Sequence, residues 1–129
     1  MLKEVKKLIP LFASYQSVKL VYFFGSRATD EAGPMSDYDF ALYADNLTAK
    51  QMFDLKIELS GKLSLALKTD KVDVVMLNLS KSSELKYNII KEGILIFERE
   101  PYRIIAEPKI LNEYFDFHDM LIRHKLTKA

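Results

Sequence analysis

Residues Val21–Tyr43 read V-Y-F-F-G-S-R-A-T-D-E-A-G-P-M-S-D-Y-D-F-A-L-Y and contain two apolar runs separated by a polar segment. The first run ends at Gly25-Ser26, and the second begins at two carboxylates, Asp37 and Asp39. A strand that stops at a Gly-Ser turn exposes backbone N–H groups that can cradle phosphate oxygens. The stretch therefore predicts two strands joined by a loop, with a phosphate-binding turn at the end of the first strand.

The two aspartates stand two residues apart, so on a strand both side chains point to the same face. Carboxylates held side by side repel each other unless a cation lies between them, and a divalent metal is the usual solution. Phosphates on the turn and a metal on Asp37 and Asp39 together predict phosphoryl or nucleotidyl transfer.

A third carboxylate, Asp73, interrupts the otherwise apolar run K-V-D-V-V-M-L at residues 71–77. An ionised carboxylate in a buried strand costs several kcal/mol unless it is paired or binds a metal. Its partner is either a basic side chain, such as Lys19, Lys71 or Arg27, or the metal of the first two aspartates. The second interpretation explains all three carboxylates at once.

Hydrophobic periodicity along the rest of the chain predicts one α/β (α+β) domain over residues 1–129, a mixed sheet of about four strands flanked by helices. Strands are expected at residues 19–24, 38–43, 71–77 and 94–98, and helices at 2–15, 49–68, 80–92 and 109–125. The first strand is apolar on both faces, which predicts a central position in the sheet.

Several residues mark the expected helix ends. Asn46 or Thr48 is expected to cap the start of the longest helix, and Gly61 inside that helix is expected to mark close packing against the sheet. Gly93 is expected to end a helix in the left-handed conformation. Pro108 is expected to open the last helix after an irregular connector.

The composition narrows the class of protein. The chain has 19 Lys+Arg and 18 Asp+Glu, so it lacks the basic character of a nucleic-acid binder, and no direct nucleic-acid partner is expected. It contains no cysteine, which excludes disulfides and thiolate metal sites. No apolar run approaches the roughly 20 residues of a membrane span, and the N-terminus lacks an apolar signal core. We therefore expect a cytoplasmic protein without membrane contact.

The motifs G-S-R-A (25–28), S-D-Y-D (36–39), V-D-V-V (72–75) and K-E-G-I-L-I-F (91–97) resemble those of minimal nucleotidyltransferases of the DNA polymerase β superfamily. The resemblance covers a catalytic core of about residues 19–98, followed by a C-terminal helix of about 108–125. It implies the polymerase β-like fold, with Asp73 as the third carboxylate of the family. Relatives often carry a basic residue and a glycine where this chain has Thr29 and Asp30.

The resemblance also implies the roles of the site residues. Asp37, Asp39 and Asp73 would be the catalytic residues and would hold two Mg²⁺ ions, with ATP as the substrate. Asp73 would also serve as general base toward the acceptor hydroxyl. Gly25 and Ser26 would bind the triphosphate, with Arg27 as the nearest cation.

Small members of the superfamily resemble the antitoxins of HEPN/minimal nucleotidyltransferase toxin–antitoxin pairs. This implies a protein adenylyltransferase that transfers AMP to a tyrosine of a HEPN RNase toxin and forms an oligomer with it, since no further acceptor-gripping domain is expected in this chain. Nucleotidyl transfer to a small molecule such as an aminoglycoside, or non-catalytic masking of the toxin, are the alternatives. Aromatic residues at 102, 114, 115 and 117 are either core residues or a docking patch for the partner.

Overall fold

The computed structural model describes residues 2–25, 28 and 37–123, which form five helices around one four-stranded sheet. Residues 26, 27 and 29–36, and with them the predicted loop, lie outside the described residues. In chain order the elements are α1 (Leu2–Lys6), α2 (Ile9–Ala13), β1 (Val18–Phe24), β2 (Tyr38–Ala44), α3 (Ala49–Leu67), β3 (Val72–Met76), α4 (Ser83–Glu92), β4 (Ile94–Glu98) and α5 (Tyr102–Arg123).

The sheet is mixed and has the strand order β3-β2-β1-β4. β1 pairs antiparallel with both β2 and β4, and β2 pairs parallel with β3. The central position predicted for β1 is confirmed, because its apolar side chains are covered on both faces of the sheet. β3 lies at an edge, which becomes important for the carboxylate it carries.

Side chains alternate between two apolar layers, one on each face of the sheet. The larger layer packs the sheet against the N-terminal helices and α3, and Phe12, Phe40 and Leu59 are fully buried in it. The smaller layer packs the opposite face against α4 and α5 through Ile89 and Ala106. The sheet is thus sandwiched between helices, as the α/β prediction requires.

The long helix α3 begins at a capping box. The Thr48 hydroxyl accepts a hydrogen bond from the Gln51 N–H at 3.1 Å, while the Gln51 side chain accepts from the Thr48 N–H at 2.9 Å. The packing role expected of Gly61 is wrong, because a Cβ at that position would meet no atom within 4 Å. Gly61 faces solvent, where glycine only loosens the helix.

Gly93 ends α4, but the left-handed conformation expected for it is wrong. Its backbone is extended, with φ −73° and ψ 163°, and its N–H donates to the Ile89 carbonyl oxygen at 2.8 Å. A Cβ at this position would overlap that carbonyl oxygen. Glycine is therefore needed here for a close backbone approach rather than for a positive φ.

The last helix also departs from prediction. It begins at Tyr102 and contains Pro108, so the segment expected to be a connector is helical. A proline inside a helix leaves the carbonyl four residues earlier, that of Ile104, without its N–H donor. Both Pro108 and Ile104 are exposed, so water can satisfy this carbonyl, while the buried Ala106 anchors the turn to the sheet. Tertiary packing thus overrides the local signal. The expected end of the helix at 125 lies outside the described residues.

Within the part of the chain that the structure describes, none of the helices combines the length and the apolar character needed to cross a bilayer.

Candidate active site

The candidate site begins at the turn after β1. Gly25 has φ +84°, a left-handed conformation that side chains with a Cβ rarely adopt, and its carbonyl accepts a hydrogen bond from the Ala28 N–H at 3.1 Å. A Cβ at Gly25 would overlap the carboxylate of Asp39. The glycine therefore lets the chain reverse directly against this carboxylate. Ser26 and Arg27, the other predicted phosphate-binding residues, lie outside the described residues.

Asp37 and Asp39 sit at the start of β2. Asp39 pairs with Phe24 across the antiparallel ladder, so it lies beside the last residue of β1. Asp37 immediately precedes the strand and is exposed, whereas Asp39 is partly buried. The strand alternation sends Asp39 to the same face as Ala41 and Tyr43, which is the face covered farther along by α4 and α5.

Asp73 stands directly beside Asp39. The two residues are Cα partners in the parallel ladder between β2 and β3, and in-register residues of paired strands point to the same face. The burial expected of Asp73 is wrong: its side chain is exposed, because β3 is the edge strand of the sheet. The edge position removes most of the desolvation cost that suggested a partner for this carboxylate.

Among the described residues, no salt bridge joins Asp73 to Lys19 or to Lys71. The salt bridges found there join Lys86 to Glu113, Arg103 to Glu107 and Arg123 to Asp119. Lys19 lies over the ring of Tyr102, 5.0 Å from its centroid, and donates to a backbone carbonyl. Arg27 lies outside the described residues.

The three carboxylates influence each other electrostatically. Burial, followed by the negative charges of Asp73 and Asp37, raises the pKa of Asp39 from 3.8 to about 6. Like charges on neighbouring residues disfavour the ionised form of Asp39. A bound cation would reverse this effect, so the arrangement favours positive charge at this end of the sheet.

The donor chemistry fits magnesium. Carboxylate oxygens are the ligands that Mg²⁺ prefers, and it usually takes one or two of them together with substrate phosphates. The described residues contain no cluster of three or more acidic, histidine or cysteine side chains already gathered around one point. Mutually repelling carboxylates are expected to stay apart until a cation draws them together.

The residues proposed as an aromatic docking patch divide into two groups. The Tyr102 hydroxyl donates to Asp45 at 2.8 Å, and Tyr114 stacks on Tyr87 at a centroid distance of 3.9 Å, so both are engaged within the domain. Phe115 and Phe117 are 54% and 43% exposed. The last turns of α5 therefore present apolar surface to solvent.

Two polar contacts on this face were not foreseen from the sequence. Lys86 is 7% exposed and forms a salt bridge with Glu113 at 3.0 Å. The buried Tyr22 donates a short hydrogen bond to Glu107, and burial together with this bond raises the pKa of Tyr22. Lys86 stands three residues before the buried Ile89 in α4, and this spacing could have predicted that Lys86 is buried. The residues of α5 that pair with Lys86 and Tyr22 could not be predicted from spacing.

Comparison with known proteins extends this picture. A sequence model described as polymerase β, nucleotidyltransferase matches residues 6–102, which include every candidate site residue. A search of curated proteins found no significant match.

Several solved structures share the fold. A chain of a toxin–antitoxin structure with AMP-PNP is 23% identical with a TM-score of 0.74, covering 96% of this chain and 98% of that chain. A chain of the toxin–antitoxin MntA–HepT is 23% identical with a TM-score of 0.71, covering 98% and 100%. A chain from a tri-AMPylated Shewanella oneidensis HEPN toxin in complex with MNT antitoxin is 23% identical with a TM-score of 0.68, covering 98% of each chain.

At this identity the structural likeness establishes the fold, while the sequence model extends over three quarters of the chain. The Gly25 turn, the adjoining Asp37 and Asp39, and the in-register Asp73 agree with that match. This chain belongs to the polymerase β nucleotidyltransferase family.

Proposed function

We propose that this protein is an antitoxin that transfers AMP from ATP to a tyrosine of a HEPN-type RNase toxin and thereby neutralises it. The observation that carries the proposal is the in-register pair Asp39 and Asp73 beside the Gly25 turn, in a fold shared end to end with chains of toxin–antitoxin complexes. One of these complexes contains AMP-PNP and another contains a tri-AMPylated toxin. The proposed acceptor is a cytoplasmic enzyme, which places this chain in the cytoplasm.

In the proposed site the Gly25-Ser26 turn binds the triphosphate through backbone N–H groups, and Arg27 adds a cation at the same loop. Asp37, Asp39 and Asp73 would hold two magnesium ions. These ions would neutralise the phosphates and lower the pKa of the acceptor hydroxyl.

The chain's own carboxylates then have distinct tasks. Asp39 is held in position because β2 pairs with a strand on each side, so its carboxylate can orient a bound metal ion. Asp73 is exposed at the sheet edge and is reachable by a protein acceptor, so it is suited to accept the tyrosine hydroxyl proton. The bond formed joins the tyrosine oxygen to the α-phosphorus, and pyrophosphate leaves.

The near-neutral charge of the chain favours a protein acceptor over a polynucleotide. An edge strand is also compatible with a large acceptor, because no strand among the described residues pairs with the outer side of β3. These two features favour a tyrosine on a partner surface over a polynucleotide end.

The test combines purified protein, ATP and Mg²⁺ with the HEPN protein encoded beside it, and measures the intact mass and the RNase activity of that partner. We expect the partner to gain the mass of AMP and to lose RNase activity, and we expect a Tyr→Phe acceptor variant to gain nothing. If labelled ATP modified an aminoglycoside and left the partner protein unlabelled, the small-molecule alternative would be favoured. Full protection by the Asp37→Ala, Asp39→Ala double variant would favour non-catalytic masking and overturn the proposal.

A further inference from the structure

A cavity of about 450 Å³ lies on the same face of the sheet as the carboxylates. Tyr43 and Leu77 form part of its floor, and Ile110 of α5 closes one wall. Tyr43 is four residues beyond Asp39 and Leu77 is four residues beyond Asp73, so strand geometry places this floor about 13 Å from the carboxylates. The cavity is therefore distinct from the candidate active site but shares its surface.

The lining of the cavity is basic. Lys81, Lys86 and Lys109 contribute three positive charges, and Glu113 contributes the only negative charge among the described lining residues. Glu113 is already occupied by the buried Lys86, whose Nζ lies 3.0 and 3.2 Å from the two carboxylate oxygens. Among the described residues neither Lys81 nor Lys109 forms a salt bridge. Two free lysines thus face one cavity from different elements.

The segment that leads into α4 forms part of this wall. α4 is ten residues long and begins after Ser82, whose hydroxyl accepts a hydrogen bond from the Leu85 N–H at 3.2 Å. Asn78 and Ser80, which line the cavity, lead directly into this helix start. The partial positive charge of a helix N-terminus and its N–H groups favours anions close by.

We propose that this cavity binds an adenosine phosphate, either as a free nucleotide or as an adenylate already joined to the acceptor protein. An apolar floor with a tyrosine ring suits a nucleoside, whereas the side chains of Lys81 and Lys109 suit a phosphate. The volume lies in the range of small-ligand sites. The acceptor-bound source rests on the proposed function; binding of a free nucleotide does not depend on it.

The test is a titration of the isotope-labelled protein with AMP in the presence of EDTA, followed by NMR. We expect the amide signals of Asn78, Ser83 and Ile110 to shift saturably, and those of Gly25 and Asp39 to shift much less. Residue-resolved signals separate this cavity from the candidate active site, so a failure here is distinguishable from a failure of the proposed transferase activity.

The double variant Lys81→Gln, Lys109→Gln is expected to weaken AMP binding about tenfold, as loss of two partly screened charge contacts predicts. The matched control Lys6→Gln, Lys50→Gln, which removes the same charge from exposed sites outside the cavity, is expected to leave binding unchanged. Shifts confined to Gly25 and Asp39, or equal affinity in both double variants, would overturn the proposal.

Titrations with other ligands test whether the cavity prefers a nucleotide, and an AMP-transfer assay tests whether that nucleotide is free or joined to the acceptor protein. Inorganic phosphate binding as tightly as AMP, or a hexaglutamate peptide binding more tightly, would overturn the nucleotide assignment. If the ligand is the acceptor-bound adenylate, the Lys81→Gln, Lys109→Gln variant should still add a first AMP to the partner but add fewer later ones. If the ligand is a free nucleotide, the number of AMP groups added should not change.

Discussion

The carboxylates at the two ends of one sheet face have opposite surroundings: at one end they lie near other carboxylates, and at the other end the carboxylate accepts hydrogen bonds. At the end that holds Asp37, Asp39 and Asp73, three carboxylates are neighbours, and burial together with the charges of Asp73 and Asp37 raises the pKa of Asp39. At the far end, Asp45 accepts hydrogen bonds from the Tyr102 hydroxyl at 2.8 Å and from the Asn46 N–H at 2.9 Å, which lower its pKa.

Backbone groups at the far end are satisfied as well. The Asn78 side chain accepts from the Ala44 N–H at 2.9 Å and donates to the Ala44 carbonyl at 2.8 Å. Paired groups stabilise the fold, whereas the carboxylates repel one another until a cation or a proton reduces their charge. The difference indicates that the carboxylate end of the face is suited to bind a cation, whereas Asp45 and the Asn78 side chain at the far end stabilise the domain.

The largest expected effect comes from removing the unpaired charges. We expect the Asp37→Ala, Asp39→Ala double variant to lose AMP transfer at least about 1000-fold, because metal-assisted charge neutralisation supplies several kcal/mol at 1.4 kcal/mol per tenfold in rate. The far-end control Asp45→Ala should keep transfer within about threefold of the parent, a change of less than 1 kcal/mol. Transfer rates measured by partner mass test both; equal losses would abolish the distinction between the two ends.

The second effect concerns the turn that lies against Asp39. Gly25→Ala forces a Cβ into a left-handed position and against the carboxylate, so we expect transfer to fall about 100-fold and the free energy of unfolding to fall by about 1–2 kcal/mol. Gly61→Ala is the matched control on open helix surface, where alanine should raise the free energy of unfolding by about 0.5–1 kcal/mol. Urea unfolding and single-turnover assays provide the readout. An active, unperturbed Gly25→Ala protein would contradict the role given to this turn.

The third effect concerns the ion pair on the helical side of the same face. Glu113→Gln leaves the buried Lys86 without its counter-charge, and we expect a loss of about 1–2 kcal/mol in the free energy of unfolding, discounted because Glu113 is 44% exposed. The exposed pair of Asp119 and Arg123 offers the control: Asp119→Asn should change stability by less than about 0.5 kcal/mol. Equal losses in the two variants would show that the burial of Lys86 is unimportant.

The smallest effect is a pH dependence of stability. The pKa of Asp39 is about 6 in the folded state against the usual 3.8, so the folded state binds this proton more tightly than the unfolded state. The resulting stabilisation is present below pH 4 and is lost as the pH rises through 6. Because Asp39 is only partly buried, we expect Asp39→Asn to be more stable than the parent by about 1 kcal/mol at pH 8 without metal, with the difference vanishing near pH 4.

Thermal unfolding of Asp39→Asn and the parent from pH 4 to 8 in EDTA checks this sign. Addition of Mg²⁺ and ATP should stabilise the parent more than the variant, because only the parent offers the full set of carboxylates. A variant that is less stable than the parent at pH 8 would show that Asp39 is not strained by its neighbours.

Much of the fold was predictable because it rests on local patterns. The alternation of apolar residues located all four strands within one or two residues, and Thr48 capped α3 as its side chain and spacing suggested. The errors arose where tertiary contacts decide. Pro108 lies inside α5 because its exposed position tolerates a missing backbone hydrogen bond. Glycine is needed at position 93 because of a close contact with the Ile89 carbonyl oxygen, not because of a left-handed helix end.

For the site, the sequence by itself determined the residue types: a glycine at the turn and carboxylates spaced for one face of a strand, since turn chemistry and strand periodicity are local properties. Only the tertiary structure decided that Asp73 lies in register with Asp39, because the pairing of strands separated by a long helix is not encoded in spacing. The same pairing placed Asp73 at an exposed edge rather than in the core. Long-range packing also brought Lys81, in the loop before α4, and Lys109 of α5 to one cavity, because these segments meet only when α4 and α5 pack on the same sheet.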